Sequence, residues 1–176
     1  MAEYIAFDPK AEVYGGAAMV TFAAFGEEAT PIIKKHNMHP LEPDKWYPQQ
    51  NQLNVLKEVS EFGLLSLVAV GMQIPDTAAF PPDIKSVEEG LNLLDQAYQM
   101  NHRGGAIGEY RYEPAGERTG KMIAHNPYPS DLDYGLIYRI VQKFRPADSA
   151  GFFVELDPQA PTRKNGADSC TYLIKW

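Results

Sequence analysis

The sequence contains a single cysteine, Cys170, among its 176 residues. This excludes an intramolecular disulfide and a thiolate zinc cluster, because both need further cysteines. Basic residues are outnumbered by acidic ones, 16 to 23, which leaves a net charge of −7. That balance argues against a nucleic-acid backbone or an anionic membrane as partner, since both attract clustered lysine and arginine.

Long apolar runs are also missing. The longest, Phe62 to Met72, is too short for a membrane span, which needs about 20 residues. Met1 to Lys10 lacks the apolar stretch of a signal peptide. We therefore expect no membrane insertion, and the scarcity of cysteine favours the cytoplasm. Hydrophobic residues make up 44% of the chain, enough for the core of one domain that we expect to span residues 1–176.

Helical patterns dominate the first two thirds of the chain. Leu53, Leu56 and Val59 recur at helical spacing within a long predicted helix. Ser86-Val87-Glu88-Glu89 fits a capping box, in which the serine and the later glutamate satisfy each other's free N–H groups. Thr30 and Ser130 are predicted to cap two further helices, and the prolines of residues 74–83 are predicted to break the chain. The predicted helices cover Tyr14–Phe25, Thr30–Asn37, Tyr47–Gly71, Ser86–Arg103 (ended by Gly104-Gly105) and the segment from Ser130 to Phe144.

Strand patterns follow in the last third. Alternation and turn residues predict two antiparallel pairs, Ile107–Glu113 with Lys121–Tyr128, and Gly151–Leu156 with Cys170–Trp176. One helix lies between the pairs in sequence. We therefore predict an α+β fold, with N-terminal helices packed on a small, mainly four-stranded antiparallel sheet.

This strand–strand–helix–strand–strand run, with HNPYPSDLDYG entering the helix and GADSCTYLIKW closing the chain, resembles 4-vinyl-reductase-like domains. Their superfamily also includes haem nitric-oxide/oxygen-binding domains and the Golgi transport-particle (TRAPP) subunits. The phrase WYPQQNQLNVLKEV is similar to the long central helix of bacterial members. The resemblance implies a ligand-sensing or scaffolding domain that is often dimeric.

The sequence departs from the haem-binding members at two places. In those members a histidine on the helix before the first sheet strands ligates iron, and alignment of LLDQAYQM places Tyr98 there. Their Tyr-x-Ser-x-Arg clamp for the haem propionates is not found, because the nearest stretch, Ala124 to Pro129, has no arginine. We therefore expect haem to be disfavoured and predict no other cofactor. Relatives carry cysteines at the positions of Ser130 and Thr162, close to a third that matches Cys170. Only Cys170 is present in this chain, so we predict no metal site.

Seven residues are candidates for binding a ligand between the helices and the sheet. His102 and Arg103 would form a ligand-binding pair at the pocket mouth, or His102 would ligate haem. Alternatively, the two residues simply place cations at the negative end of a helix. The tyrosines suit a pocket lining, and equally suit half-buried sheet faces. His102 and His125 are expected to converge, with Arg163 either reaching an anionic ligand or solvating its loop. The full set is Tyr98, His102, Arg103, Tyr110, Tyr112, His125 and Arg163.

No pattern indicates catalytic machinery, and we favour a non-enzymatic role. Glu109 and Glu113 are about 13 Å apart along one strand, too far for a glycosidase pair. Asp131 and Asp133 lack the further oxygens of a calcium loop and fit first-turn acids of a helix. Cys170 fits a small buried hydrophobe.

Three functions stay open at this point. The first is a sensory or carrier domain for a small hydrophobic molecule, either carboxylate-bearing or of tetrapyrrole type. The second is a homodimeric interaction module, because the segment Ala17–Phe25 is too apolar to face water. The third is a haem-based gas sensor or an accessory protein of tetrapyrrole metabolism, which rests on the resemblance alone.

Overall fold

The structure is a computed structural model that describes residues 3–61, 67–77, 81 and 83–176. It has an α+β fold, as predicted. None of the helices in these ranges is long and apolar enough to cross a membrane. The helices are α1 (Gly15–Phe22), α2 (Thr30–Lys35), α3 (Gln49–Glu61), α4 (Leu67–Thr77), α5 (Val87–Asn101) and α6 (Ser130–Phe144). The strands are β1 (Glu12–Tyr14), β2 (Trp46–Pro48), β3 (His102–Arg103), β4 (Glu109–Gly116), β5 (Thr119–His125), β6 (Phe153–Leu156) and β7 (Cys170–Lys175).

The start of α5 confirms the serine half of the predicted capping box, because the Glu89 N–H donates to Ser86 Oγ at 3.2 Å. The return bond differs from the prediction, since Glu89 Oε2 accepts from the Lys85 N–H at 2.7 Å rather than from Ser86.

The other two predicted caps are wrong. Thr30 lies inside α2 and Ser130 inside α6, and neither N-cap residue makes a side-chain hydrogen bond. Pro31 occupies the first turn of α2, and the Ser130 N–H at the start of α6 donates to Glu3 Oε1 at 2.8 Å.

The segment predicted as one helix from Tyr47 to Gly71 is organised differently. Trp46–Pro48 is a strand, and helix follows at α3 and again at α4, while the predicted residues 62–66 lie outside the described ranges. The predicted break at the prolines is also partly wrong, because α4 continues through Pro75 to Thr77. Lys143 Nζ donates to the Pro75 carbonyl at 2.8 Å, which supports this last turn from outside the helix.

A three-stranded antiparallel sheet, in the order β2-β1-β3, was not predicted. Its strands have only three, three and two residues, too few to show an alternating pattern. The predicted helix end at Gly104 is wrong for the same reason. The helix ends at Asn101, and His102 pairs with Val13 in the register of β3 with β1.

The second sheet confirms the predicted four antiparallel strands, in the order β4-β5-β7-β6. Its buried face carries Tyr110, Met122, Tyr172 and Ile174, and α6 lies between the two strand pairs in sequence. β4 extends three residues further than predicted, to Gly116, because the turn tightens to Glu117-Arg118.

Helices α4 and α6 cross at two glycines. A Cβ atom on Gly71 would lie 2.1 Å from the Leu132 carbonyl oxygen, and one on Gly135 would lie 2.1 Å from the Val68 carbonyl oxygen. Each glycine therefore lets the backbone of the other helix approach closely. The contact places α6, and with it Asp133, at a fixed height against the N-terminal helices.

We predict that Gly71→Ala destabilises the protein. In a helix interior alanine is more favourable than glycine by about 1 kcal/mol. The clash with Leu132 should outweigh this gain and lower the free energy of unfolding by about 1–3 kcal/mol in total. Urea denaturation measures the change. Gly151→Ala is the matched control, because no atom lies within 4 Å of its added Cβ. A more stable Gly71→Ala protein would contradict the close helix crossing.

Candidate functional site

His102 is the more deeply buried of the two candidate histidines. It follows the last residue of α5 and keeps only 8% of its surface exposed. Its Nδ1 lies 2.8 Å from the Tyr98 carbonyl oxygen, one helical turn earlier. Because a carbonyl only accepts, Nδ1 carries the proton, and in the neutral ring Nε2 holds the lone pair.

Two tyrosines contact this imidazole, and a third packs against one of them. The Tyr98 ring stacks on His102 with centroids 4.1 Å apart, and Tyr128 meets His102 edge-on at 5.6 Å. Tyr110 packs edge-on against Tyr98 at 5.4 Å. All three tyrosines are buried. The result is an aromatic cluster that includes a histidine, with α5, β3, β4 and the segment between β5 and α6 each supplying one residue.

Burial sets the charge state of the cluster. Desolvation lowers the pKa of His102 to about 4, against the raising effect of its bond to the Tyr98 carbonyl. Desolvation also raises the pKa of Tyr98, Tyr110 and Tyr128. At neutral pH the cluster is therefore uncharged, with a neutral imidazole of the kind that ligates metals.

The hydroxyl of Tyr128 has one proton and two neighbours that can accept it. His102 Nε2 lies 2.7 Å away and Gln52 Oε1 lies 2.6 Å away. The amide nitrogen of Gln52 in turn donates to Thr21 Oγ1 at 3.4 Å. A buried hydrogen-bonded chain thus runs from α1 through α3 to the imidazole.

A second buried amide faces the cluster from α3. Gln49 Nε2 donates to the Tyr98 hydroxyl at 3.4 Å, and that hydroxyl donates to the Ile107 carbonyl at 2.5 Å. Gln49 is fully buried, and its Oε1 has no hydrogen-bond partner. Sequence reasoning missed Gln49 and Gln52, because polar residues on a helix give no sign of burial until their partners are known.

Next to the aromatic cluster lies a buried ion pair between Asp133 of α6 and Arg163. Arg163 belongs to the closing loop, the segment of residues 157–169 between β6 and β7. Asp133 also accepts from the Tyr110 hydroxyl at 2.5 Å and from Asn126 Nδ2 at 3.3 Å. Burial raises the pKa of Asp133, while Arg163 and these two donors oppose the rise. Arg163 Nη1 also donates to the Ala124 carbonyl at 2.6 Å. Arg163 therefore closes a network rather than solvating its loop.

The remaining candidates lie apart from this cluster. Arg103 is exposed, bonded to Glu12 at 2.7 Å and stacked over Trp46 at 4.2 Å. His125 is half-exposed, stacks on Phe7 at 4.8 Å and faces Asp168 at 3.4 Å. It shares none of these contacts with His102, so the contacts do not support the expected convergence of the two histidines.

Two further predictions concern Tyr112 and a binding cavity. Tyr112 is half-buried, and its ring lies against Gly120 across the hairpin. One cavity among the described residues is an open cleft of about 470 Å³. It lies between the loop before β6 and the end of β7, and none of the seven candidate residues lines it. That these residues bind a ligand stays a prediction.

Solved structures share this fold. An oxygen-binding H-NOX domain related to soluble guanylate cyclases is 17% identical, with a TM-score of 0.67 over 92% of this chain and 91% of that chain. An H-NOX protein from S. oneidensis in the Fe(II)NO ligation state is 13% identical, with a TM-score of 0.66 over 92% and 98%. A protein studied for haem redox potential and porphyrin distortion is 17% identical, with a TM-score of 0.67 over 92% and 97%. At these identities the likeness establishes the fold.

No protein-family model and no curated protein sequence matches the chain. The structural comparisons nevertheless correct one expectation. Haem was expected to be disfavoured, yet the chain has the fold of domains whose structures are described with haem, nitric oxide and oxygen. The expectation rested on the alignment that places Tyr98, rather than a histidine, at the iron-ligating position. His102, one helical turn later, presents an imidazole to the same buried cluster as Tyr98.

We predict that Asp133→Ala destabilises the protein by about 3–5 kcal/mol, because it leaves Arg163 buried without its counter-charge. Asp131→Ala is the matched control on the same helical turn. Asp131 pairs with Lys164 in solvent, where such pairs contribute less than about 1 kcal/mol. Chemical denaturation of both variants gives the comparison, and similar losses would contradict the buried pair.

We also predict that lowering the pH from 7 to 5 destabilises the cofactor-free protein through His102. The pKa of His102 is about 4 in the folded protein and 6.5 in the unfolded chain. The unfolded chain therefore binds the proton first, and stability is lost as pH falls from about 6.5 towards 4. The loss at pH 5 should be about 2 kcal/mol.

His102→Gln should lack this contribution, whereas His125→Gln, changed at a half-exposed histidine, should keep it. Urea midpoints of the three proteins at pH 7 and pH 5 provide the measurement. If His102→Gln depends on pH as steeply as the wild type does, the predicted titration of His102 is wrong.

Proposed function

We propose that this protein is a sensor domain that holds haem, with His102 as the iron ligand and a diatomic gas as the sensed molecule. The observation that carries the proposal is the neutral, buried imidazole of His102, fixed through Nδ1 to the Tyr98 carbonyl. A backbone partner on one ring nitrogen is the usual arrangement of a histidine that ligates a metal through the other. The shared fold with H-NOX domains supports the choice of haem.

The residues around His102 fit such a cofactor. The sequence Tyr128-Pro129-Ser130 matches the first two side chains of the Tyr-x-Ser-x-Arg propionate clamp, with Leu132 in place of the arginine. Ser130 Oγ is buried and has no hydrogen-bond partner, so it can donate to a carboxylate. Ser130 would then donate to a propionate, while the one proton of the Tyr128 hydroxyl stays on Gln52.

When bound, haem supplies an iron that binds a diatomic gas, as in the oxygen-binding H-NOX domain. The chain's own residues would position it. The bond to the Tyr98 carbonyl fixes the orientation of the His102 ring, and the aromatic cluster excludes water from it. Tyr128, which contacts His102 Nε2, would give up that contact and keep its bond to Gln52.

A second interpretation keeps the same residues without haem. Gln49 Oε1 is a buried acceptor without a donor, and a small apolar molecule with one hydroxyl would satisfy it. This is the carrier or sensor function predicted from the sequence, in the manner of the 4-vinyl-reductase-like domains. Residues 1–176 would form that single ligand-binding domain.

Self-association remains a prediction from the sequence. Its motive was the apolar segment Ala17–Phe25, but Ala18, Phe22 and Phe25 pack inside the protein. Only Met19 of α1 is a large exposed hydrophobic residue, at 43%. The dimer would therefore need a different surface from the one that was predicted.

Reconstitution with haemin tests the main proposal. We expect one haem per chain after desalting, with a sharp Soret band that shifts when nitric oxide or carbon monoxide is added. His102→Gly should lose the band, and added imidazole should restore it by replacing the missing ligand. His125→Ala is the matched control and should bind haem like the wild type.

Circular dichroism establishes that each variant is folded before haem is added. A folded wild-type protein that retains no stoichiometric haem would contradict the proposal and favour the direct binding of a small molecule. Retention of the band in His102→Gly without imidazole would show that another residue ligates the iron.

A further inference from the structure

The open cleft of about 470 Å³ lies away from the aromatic cluster and has its own chemistry. Its walls combine three aromatic rings, Phe152, Phe153 and Trp176, with two cations, Arg118 and Lys175. Small residues of the segment 149–151 complete the lining. Pockets of about 300–1,000 Å³ with apolar walls and a few placed polar groups are typical of small-molecule sites.

The aromatic walls are built into the sheet. Phe153 of β6 pairs across the sheet with Lys175 of β7, so the ring and the ammonium group lie side by side on one face. Phe153 is 43% exposed, which is unusual for a phenylalanine on a strand. The backbone N–H of Trp176 donates to the backbone carbonyl of Arg118 at 3.0 Å, which joins the end of β7 to the β4–β5 turn.

The charge of the cleft is opposite to that of the chain. The whole sequence carries −7, yet both charged residues in the lining are cations. Arg118 shares its charge with Asp148 through bonds of 2.8 and 3.0 Å. Lys175 is exposed and belongs to none of the ion pairs among the described residues. A third cation, Arg145, lies behind the wall, 5.2 Å from the Phe152 ring.

We propose that this cleft is a second binding site and that it takes a small planar aromatic carboxylate. The ring of such a ligand would lie against the exposed ring of Phe153 and reach the small accessible edge of Trp176, which keeps 8% of its surface exposed. Its carboxylate would meet Lys175 and compete with Asp148 for Arg118. The site is independent of His102, since the cleft shares no residue with the aromatic cluster.

2-Naphthoate is the probe. Trp46→Phe leaves Trp176 as the one tryptophan, so its fluorescence reports on the cleft. We expect saturable quenching with a dissociation constant of about 0.05–0.5 mM, weakened by salt because the attraction is partly electrostatic. In the same background Lys175→Met should weaken binding about tenfold.

Lys121→Met is the matched control, because Lys121 lies on the same sheet and outside the cleft lining. It should bind naphthoate normally. The neutral analogue 2-naphthol should bind as weakly to the wild type as naphthoate does to Lys175→Met. Absence of saturable quenching below about 5 mM, or equal affinity for 2-naphthol and naphthoate, would overturn the proposal.

Discussion

The buried pair of Asp133 and Arg163 joins parts of the chain that are distant in sequence. Both side chains have no exposed surface. Two charges taken out of water are tolerated only when most of their remaining hydrogen-bonding groups are also satisfied. Asn126, Tyr110 and the Ala124 carbonyl supply most of these partners, and Arg163 Nε is left without one. These bonds hold helix α6, strand β5 and the loop that carries Arg163 in one mutual arrangement. The rest of the candidate site is built outwards from that arrangement.

Tyr110 connects the ion pair to His102. Its hydroxyl is held by Asp133, its ring lies against Tyr98, and the ring of Tyr98 stacks on the imidazole. The crossing of α4 and α6 at Gly71 and Gly135 also fixes α6, the helix that carries Asp133. His102 is therefore positioned by packing and, through Tyr98 and Tyr110, by the buried ion pair. Such surrounding contacts are how a binding group acquires a defined orientation.

The sequence predicted what local pattern determines. Alternation in Cys170, Tyr172 and Ile174 identified the last strand, and the spacing of Ser86 and Glu89 identified a helix start. What depends on partners far along the chain was not predictable in the same way. Asp131 and Asp133 look alike in sequence, and only the position of Arg163, 30 residues later, makes one of them a buried charge and leaves the other in solvent. The three-stranded sheet was missed because its strands are shorter than any recognisable period.

The single proton of the Tyr128 hydroxyl has a mechanical consequence. While His102 Nε2 is free, two acceptors compete for that proton, and the ring of Tyr128 is held between α3 and the end of α5. A ligand that takes the Nε2 lone pair removes one competitor, and the proton passes wholly to Gln52. Gln52 in turn is bonded to Thr21 of the first helix. Occupancy of the imidazole would therefore strengthen the bond between Tyr128 and Gln52, and through Gln52 it would reach α1 along side chains that are already in contact.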